Sequence, residues 1–305
     1  MSKQIKKLFI AGWDGFIGSH LVSLARDSSD YSAVDGCGSK DLNLTQTNSW
    51  ETLSSRMDAQ SILVILAGVK RQAGDEFAAY DINNRIALSL ARTIESTRPC
   101  RVLFFSSAAV YGEETNKTDI NESTPVDPIS LYGIAKFTSE RLLAIAARAT
   151  GTPLTIVRPP LIYGPGDTTN SYGPVGFCRS FALCEPITLW GDGSELREFL
   201  FVQDCCRLVL ELLNTPFEGV LNLVSGQSHT FVDALNTVEK VSGRTIRLTH
   251  KPRTKPQVNN GFDATLLHAI IPGFPFTSLE DGVRQTYLAE SKNSSKLKEL
   301  AIAPP

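Results

Sequence analysis

Directly after the apolar segment Lys7–Ala11 the chain reads Gly12-Trp13-Asp14-Gly15-Phe16-Ile17-Gly18, and a helical pattern follows over Ser19–Arg26. The apolar segment predicts a first β-strand, and the three glycines are spaced GxxGxxG between this strand and the helix. Glycines there permit a tight turn and let a pyrophosphate approach the helix N-terminus, whose free N–H groups and dipole favour anions. The turn therefore predicts a dinucleotide site, and the alternative is an ordinary glycine-rich strand–helix turn.

An acidic residue follows this turn at the distance expected for a contact to the adenosine ribose. Asp35 lies 17 residues beyond Gly18, and a carboxylate in that place favours NAD over NADP. Lys40 follows closely and could instead meet a 2′-phosphate, so NADP stays open. The alternative for Asp35 is a turn aspartate, because Gly36 follows it.

Short apolar segments alternate with helical patterns through the first half of the chain. The predicted later strands are Tyr31–Val34, Ser61–Leu66, Val102–Phe105 and Leu154–Val157, and the predicted helices are Ile82–Ile94 and Tyr132–Ala149. Strands that are apolar along most of their length indicate a parallel sheet covered by helices on both faces. We therefore predict an α/β fold with a Rossmann-type doubly wound parallel sheet.

The pattern changes after Arg158, because prolines and glycines interrupt it and the later elements are shorter. We predict a dinucleotide-binding Rossmann domain over residues 1–165, to which the later chain can contribute a strand. A smaller α/β substrate-binding domain is predicted over residues 166–305. Such a domain would lie over the carboxyl ends of the strands, where ligands bind in sheets of this kind.

The composition is that of a globular chain and excludes several classes of function. Of the 305 residues, 42% are hydrophobic and 20% are charged, with a net charge of −2. No basic footprint for a nucleic acid is present, and the longest apolar stretches are too short to span a membrane. The six cysteines show no CxxC spacing, which favours a reduced, cytoplasmic chain. No metal site is predicted.

The segment Tyr132-Gly133-Ile134-Ala135-Lys136 places a phenol and an ammonium four residues apart on one helical face. About 0.4 such pairs are expected by chance in a chain of this composition. The neighbouring sequence motifs must therefore decide whether this pair is catalytic. Ser106-Ser107 closes an apolar strand earlier in the same half of the chain. A tyrosine base needs its pKa lowered from about 10, and we expect Lys136 and an oxidised nicotinamide to lower it together. Ser107 would hold the substrate oxygen near the phenol.

These motifs together resemble the NAD-dependent epimerase/dehydratase family, the extended short-chain dehydrogenases that include UDP-glucose 4-epimerase-like nucleotide-sugar enzymes. The resemblance runs almost from end to end. It is carried by the glycine turn, Asp41-Leu42, Leu66-Ala67-Gly68-Val69-Lys70, Asn83, Ser106-Ser107-Ala108-Ala109-Val110-Tyr111-Gly112, Glu122, Tyr132 to Lys136, Arg158-Pro159, Tyr163-Gly164-Pro165-Gly166, Gly191-Asp192-Gly193, Arg197, Asp204, Asn222 and Ser278-Leu279-Glu280-Asp281-Gly282.

The resemblance implies NAD as cofactor, with NADP as the alternative, a nucleotide sugar as substrate, and a homodimer formed through Ile82–Ile94 and Tyr132–Ala149. The catalytic residues would be Ser107, Tyr132 and Lys136. The cofactor-binding residues would be Gly12, Gly15, Phe16, Ile17, Gly18, Asp35, Asp41, Leu42, Leu66, Ala67, Gly68, Lys70, Asn83, Ser106 and Pro159. The substrate-binding residues would be Lys70, Ala108, Tyr163 and Arg197.

Arg197 matches the family arginine that grips the pyrophosphate of the nucleotide sugar, and the alternative is a surface arginine on a strand edge. Asp204 is expected to be structural and to cap the helix that follows. Only six residues separate Asp35 from Asp41, and a spacing this short is typical of the reductases of the family rather than of its 4-epimerases.

Departures from the family pattern narrow the expected chemistry. The 4,6-dehydratases carry Asp-Glu just after the catalytic hydroxyl and the decarboxylases carry a Glu near there, whereas this chain has Ala108 and Ala109. Dehydration and decarboxylation are therefore not expected. Ala109 also stands where GDP-fucose synthase has a cysteine, which argues against double epimerisation. Leu161 stands where many members have an asparagine near the pyrophosphate.

We therefore expect an enzyme of carbohydrate metabolism, a nucleotide-sugar epimerase acting at C4 by transient hydride transfer to NAD. The alternative is an NADP-dependent nucleotide-sugar 4-ketoreductase with the same residues. A hypothesis of another class is a non-catalytic relative that binds a dinucleotide as a redox sensor or scaffold.

Overall fold

The computed structural model describes residues 6–71, 74–113, 116–169, 172–253 and 257–302. The strands are β1 (Lys6–Ala11), β2 (Tyr31–Cys37), β3 (Ser61–Ile65), β4 (Arg101–Phe105), β5 (Lys117–Ile120), β6 (Leu154–Arg158), β7 (Leu161–Tyr163), β8 (Ile187–Trp190), β9 (Leu196–Phe201), β10 (Gly219–Asn222), β11 (Ser228–Thr230), β12 (Leu248–Lys251) and β13 (Asn260–Phe262). The helices are α1 (Phe16–Arg26), α2 (Ser49–Ser54), α3 (Phe77–Thr97), α4 (Leu131–Thr150), α5 (Pro174–Leu183), α6 (Val202–Leu212), α7 (Phe231–Ser242), α8 (Thr265–Ile270) and α9 (Leu279–Ile302).

A six-stranded parallel sheet with the strand order β10-β6-β4-β3-β1-β2 forms the centre of the fold. Every residue of β3 and β4 is buried. Residues along β1 alternate between two hydrophobic clusters, since Leu8 and Ile10 face one and Phe9 and Ala11 face the other. Helices α1 and α6 contribute to the first cluster, and α3 and α4 to the second. The predicted Rossmann-type doubly wound sheet is confirmed.

The predicted elements are present, but several begin or end elsewhere. Helix α1 begins at Phe16 rather than at Ser19, because the extended backbone of Gly15 provides its N-cap. Helix α3 begins at Phe77, five residues before the predicted Ile82. Hydrophobic patterns in a sequence predict the type of an element more accurately than its first and last residues.

The later chain forms a second group of elements around its own core. Strands β11, β9 and β7 make a three-stranded sheet, and β12 pairs with β8. Helices α5, α7 and α9 pack together around an aromatic-rich cluster that includes Phe177, Phe181 and Phe199. None of the helices in the described ranges has an apolar stretch long enough to cross a membrane.

Part of the later chain returns to the main sheet. β10 pairs with β6 at its edge, and α6 packs on α1. Side chains from α8 join the same hydrophobic cluster as α1 and α6. The division of the chain at residue 165 stays a prediction.

Asp204 does not cap a helix, contrary to expectation. It lies inside the first turn of α6, whose N-cap residue Phe201 makes no side-chain cap bond. The buried carboxylate instead accepts hydrogen bonds from the backbone N–H of Thr277 (2.6 Å) and from its hydroxyl (2.8 Å). Asp204 therefore ties α6 to the segment that precedes α9, a contact across 73 residues of chain.

Candidate active site

A cleft of about 370 Å³ lies between the carboxyl ends of the main sheet and the second group of elements. Its walls come from the segments that follow β3, β4 and β6, from α4, and from β7 and β9. Thirteen of the predicted site residues line it, namely Phe16, Ile17, Leu66, Gly68, Lys70, Ser106, Ser107, Ala108, Tyr132, Lys136, Pro159, Tyr163 and Arg197. The other eight, which are Gly12, Gly15, Gly18, Asp35, Asp41, Leu42, Ala67 and Asn83, lie outside its walls.

The glycine turn has the geometry that a pyrophosphate needs. Gly12 has a φ of +93°, and a Cβ on it would lie 2.7 Å from the backbone nitrogen of Ala67. A Cβ on Gly18 would overlap the carbonyl oxygen of Gly12, so helix and turn pack backbone to backbone. The N-cap residue of α1 is Gly15, so no side chain binds the N–H groups at its start, and its first turn carries no acidic residue. The free N–H groups of that turn can therefore receive an anion, and the site fits a dinucleotide.

The Asp35 carboxylate at the end of β2 is already engaged by a cation. Asp35 Oδ1 accepts from Arg56 Nη2 at 2.6 Å and from the Gly36 N–H at 2.8 Å, and Oδ2 accepts from Arg56 Nε at 3.3 Å. The cation that binds Asp35 is therefore Arg56, while the role considered for Lys40 at a 2′-phosphate stays a prediction. Sequence reasoning missed Arg56, because 21 residues separate it from Asp35 and no motif links the two.

Two predicted cofactor residues support the loops that surround the dinucleotide site. Asp41 Oδ2 accepts from the Trp13 indole at 2.9 Å and from the Gly38 N–H at 3.0 Å, which fastens the glycine turn to the loop after β2. Buried Asn83 accepts from the backbone N–H of Val69 at 2.7 Å and donates to its carbonyl at 3.2 Å. Asn83 therefore fixes the segment that follows β3 and carries Gly68 and Lys70 into the cleft.

The two helical residues of the predicted catalytic set face the serine. Ser130 caps α4 by accepting from the Gly133 N–H at 3.0 Å. The Lys136 ammonium donates to the carbonyl of Phe105 at 2.8 Å and lies 5.9 Å from the centre of the Tyr132 ring. The Ser107 hydroxyl lies close enough to the Tyr132 phenol to lower its pKa through hydrogen bonding. The structure thus brings Ser107, Tyr132 and Lys136 together at the end of β4.

Burial moves both ionisable groups of this set toward their neutral forms. It lowers the pKa of Lys136 to about 8, and the charge of Glu140 opposes that shift. Burial also raises the pKa of Tyr132, while the Ser107 hydrogen bond lowers it; the charges of Glu113 and Arg71 act in opposite directions. The chain alone therefore does not make Tyr132 a base near neutrality. A positive charge on a bound cofactor would lower the pKa of Tyr132.

A buried ion pair supports this site from behind. Glu140 accepts from Arg158 through two bonds, Oε1 to Nε at 2.9 Å and Oε2 to Nη2 at 2.7 Å. Glu140 also accepts from the Ser106 hydroxyl, so this hydroxyl is engaged within the protein. The Arg158 guanidinium lies 4.9 Å from the Tyr111 ring, whose hydroxyl donates to Asn222 at 2.8 Å. These contacts connect β4, α4, β6 and β10.

Arg197 belongs to a cluster of charged groups on the opposite wall of the cleft. Its guanidinium donates to the carbonyls of Leu196 and Val258 and to Glu195 at 3.3 Å. Glu195 also accepts from Arg253, which sequence reasoning did not single out. Arg253 lies 58 residues beyond Glu195, and nothing near it in the sequence marks it as a site residue. Among the described residues, no group of three or more His, Cys, Asp or Glu side chains could hold a metal.

Tyr163 is mainly a core residue. It packs against Phe199 and Phe201, with ring centres 6.5 and 5.6 Å apart. Burial raises the pKa of its phenol well above the usual value. A Cβ on Gly282 would overlap this phenol oxygen, so the hydroxyl end faces α9. Its predicted contact with substrate is therefore limited to the part of the ring that borders the cleft.

Comparisons with known proteins agree with this geometry. Residues 8–224 match the model of the NAD dependent epimerase/dehydratase family. An uncharacterised UDP-glucose epimerase from Bacillus subtilis is 26% identical over 310 residues, which cover 91% of this chain and 95% of that protein. The structure of a UDP-glucuronic acid 4-epimerase from Bacillus cereus, with UDP-glucuronic acid and NAD, matches with a TM-score of 0.79 at 21% identity. RMD from Pseudomonas aeruginosa, complexed with NADPH, matches with a TM-score of 0.84 at 20% identity. Both matches cover 94% of this chain and 99% of the other.

Proposed function

Because the chain belongs to the NAD dependent epimerase/dehydratase family, we propose that it is a nucleotide-sugar epimerase that acts at C4 with NAD. One observation carries the proposal. Ser107, Tyr132 and Lys136 meet at one end of the cleft, while the turn beside them carries Ala108 and Ala109 in place of an acid. This arrangement supports proton transfer to and from a sugar hydroxyl. It offers no acid at these two positions for elimination of water or loss of a carboxylate.

The mechanism follows from what each side chain can do. Bound NAD would accept a hydride from C4 and return it. Ser107 holds the O4 oxygen near Tyr132, and Tyr132 removes and later restores the O4 proton. Lys136, fixed by the carbonyl of Phe105, stabilises the ionised phenol by its charge. Arg197 would hold the pyrophosphate on the opposite wall while the keto sugar turns over in the cleft, so that the hydride returns to the other face of C4.

The runner-up is an NADP-dependent nucleotide-sugar 4-ketoreductase, favoured by the position of Arg56. This guanidinium lies against Asp35, where it could reach a 2′-phosphate. A steady-state assay separates the two reactions when UDP-glucose with NAD is supplied in one reaction and a nucleotide-linked 4-keto sugar with NADPH in the other. The epimerase forms the C4 epimer without net consumption of cofactor. Consumption of one equivalent of NAD(P)H per substrate, by a protein that carries no tightly bound NAD, would contradict the epimerase.

Cofactor preference gives a separate prediction. In the Asp35→Ser variant the carboxylate that repels a 2′-phosphate is lost and Arg56 is released. The affinity ratio of NAD to NADP should then fall by about 10- to 100-fold, the size expected for one charge contact near a protein surface. Isothermal titration with both cofactors measures it. Asp27→Ser, the same change just after α1, is the control, and an unchanged ratio in Asp35→Ser would contradict the assignment.

We further propose that the protein is a homodimer formed through α3 and α4. These helices pack against each other and leave several large apolar side chains exposed, among them Leu88, Ile134 and Ile145. Exposed apolar surface on adjacent helices is typical of a subunit interface. A molar mass of one chain by light scattering would contradict the dimer.

A further inference from the structure

The main chain of Tyr132 is held by a carboxylate that the sequence motifs do not include. Asp75 Oδ1 accepts a hydrogen bond from the Tyr132 N–H at 2.9 Å, across 57 residues of chain. This N–H lies in the first turn of α4, where no carbonyl of the helix itself can accept from it. A negative charge at this end also interacts favourably with the helix dipole. The bond from Asp75 therefore fixes the residue that carries the phenol, and not a neighbour of it.

The next N–H of the same turn is held through a second connection. Ser130 Oγ accepts from the Gly133 N–H at 3.0 Å and donates to the carboxylate of Glu113. Glu113 in turn forms an ion pair with Arg71 at 3.5 Å. Arg71 precedes Asp75 by four residues. One segment of chain thus reaches the start of α4 twice, directly through Asp75 and indirectly through Arg71.

This segment, which connects β3 to α3, also forms part of the cleft wall. Asn83 fixes its beginning, because the side chain of Asn83 bonds both the N–H and the carbonyl of Val69. Asp75 fixes its end at α4. Between these two anchors lie Lys70 and Arg71, which line the cleft. The wall that a bound dinucleotide would contact is therefore connected to the catalytic helix at the tyrosine itself.

The phenol of Tyr132 is sensitive to its exact position. Burial raises its pKa and hydrogen bonding with Ser107 lowers it, while the charge of Glu113 raises it and that of Arg71 lowers it. Lys136 lies on the same helix, 5.9 Å from the centre of the ring. Coulomb energies fall with distance, so a displaced phenol would be stabilised less well as a phenolate by Lys136 and by a cationic cofactor.

We propose that Asp75 is a positioning residue for Tyr132, whose main-chain N–H it holds so that the phenol keeps its place relative to Lys136 and to a dinucleotide in the cleft. Asp75 itself is exposed and lies outside the walls of the cleft, so it touches neither substrate nor cofactor in this assignment. The proposal rests on the proposed function, in which Tyr132 exchanges a proton with the sugar, and deepens it by adding a residue that acts through Tyr132.

The first measurement titrates Tyr132 in the NAD-loaded protein by the ultraviolet absorbance of its phenolate. Each protein is compared with the same protein carrying Tyr132→Phe, so that the other tyrosines cancel. Asp75→Ala should raise the pKa of Tyr132 by about one unit, a tenfold change in the ionisation equilibrium. Loss of a nearby negative charge would by itself lower this pKa, so the sign separates position from charge. Asp75→Asn keeps an oxygen acceptor without the charge and should not raise the pKa.

The second measurement is the pH profile of kcat with a nucleotide sugar that the wild type converts. The reaction needs the ionised phenol as base, so a higher pKa should lower kcat of Asp75→Ala about tenfold at neutral pH and restore it at higher pH. The affinity for NAD should stay within a few-fold of wild type. Asp75→Asn should keep kcat within about twofold. A general loss of structure would instead lower kcat by the same factor at every pH.

Glu76→Ala is the matched control, because Glu76 is the adjacent exposed acid and makes no side-chain cap bond at the start of α3. It should leave the pKa of Tyr132 and kcat unchanged. An unchanged or lowered pKa of Tyr132 in Asp75→Ala overturns the proposal, as does an Asp75→Asn variant that behaves like Asp75→Ala. If the wild type converts no nucleotide sugar, the proposed function fails, whereas the titration needs only NAD and still decides the role of Asp75.

Discussion

The Tyr132→Phe variant should lose about a thousandfold in kcat, while its affinity for NAD stays within a few-fold of wild type. Proton transfer by a positioned side chain contributes about 10²- to 10⁴-fold to a rate, and Tyr132 lines the cleft together with Ser107 and Lys136. The substitution removes one oxygen and leaves the ring. Steady-state turnover of the reactive nucleotide sugar measures kcat, and fluorescence titration measures the cofactor affinity.

Tyr31→Phe is the matched control for this loss. Its hydroxyl is buried without a hydrogen-bond partner, and the residue lies at the start of β2, outside the walls of the cleft. Removal of the hydroxyl from Tyr31 should leave kcat within about twofold of the wild-type value. A Tyr132→Phe enzyme that keeps a tenth or more of the wild-type kcat would contradict the role of Tyr132. An unchanged biological activity in that variant would favour the non-catalytic dinucleotide sensor.

Breaking the Glu140–Arg158 ion pair should produce the largest loss of stability. The two side chains are 3% and 5% exposed and are joined at 2.7 Å. Glu140→Leu leaves the Arg158 charge buried without its partner, and such losses cost about 3–5 kcal/mol of unfolding free energy. Arg158→Met should cost a similar amount. Denaturant unfolding followed by circular dichroism measures both.

The double variant Glu140→Leu, Arg158→Met separates the interaction from the desolvation of each charge. The unfolding free energy of the double variant should return most of the way to that of the wild type, because two apolar side chains can replace a buried ion pair at little net cost. Asp81→Asn is the surface control, since the Asp81–Arg85 pair lies exposed on α3; an exposed pair is worth about 0–1 kcal/mol. If the double variant loses as much unfolding free energy as the two single variants together, the broken ion pair is not the cause of the single-variant losses.

The fold class and the helix that carries Tyr132 and Lys136 could be predicted from sequence because their signals are local. Apolar strands, glycines placed between strand and helix, and a phenol and ammonium one helical turn apart all depend on residues close in the chain. The boundaries of α1 and α3 were less accurate, because the extended backbone of Gly15 and the start at Phe77 follow from caps that periodicity does not reveal.

Asp204 is structural, as predicted, but the helix cap predicted for it is wrong for a related reason. An acidic residue near a helix start usually suggests a cap, yet this one binds Thr277, which is far along the chain. The partner of Asp35 was missed in the same way, since Arg56 reaches it across 21 residues. Contacts of this kind depend on how the elements pack, and the single sequence carries no signal for them.

The sequence by itself determined which residues are candidates for the chemistry, because the glycine turn, Ser107, Tyr132 and Lys136 belong to local patterns that their own strands and helix position. Only the tertiary structure decided what surrounds that chemistry. Packing brings Arg56 against Asp35 and buries the Glu140–Arg158 pair behind the site. Pairings between distant segments set the local dielectric and charge around the candidate catalytic residues, because burial and neighbouring charges depend on how the elements pack.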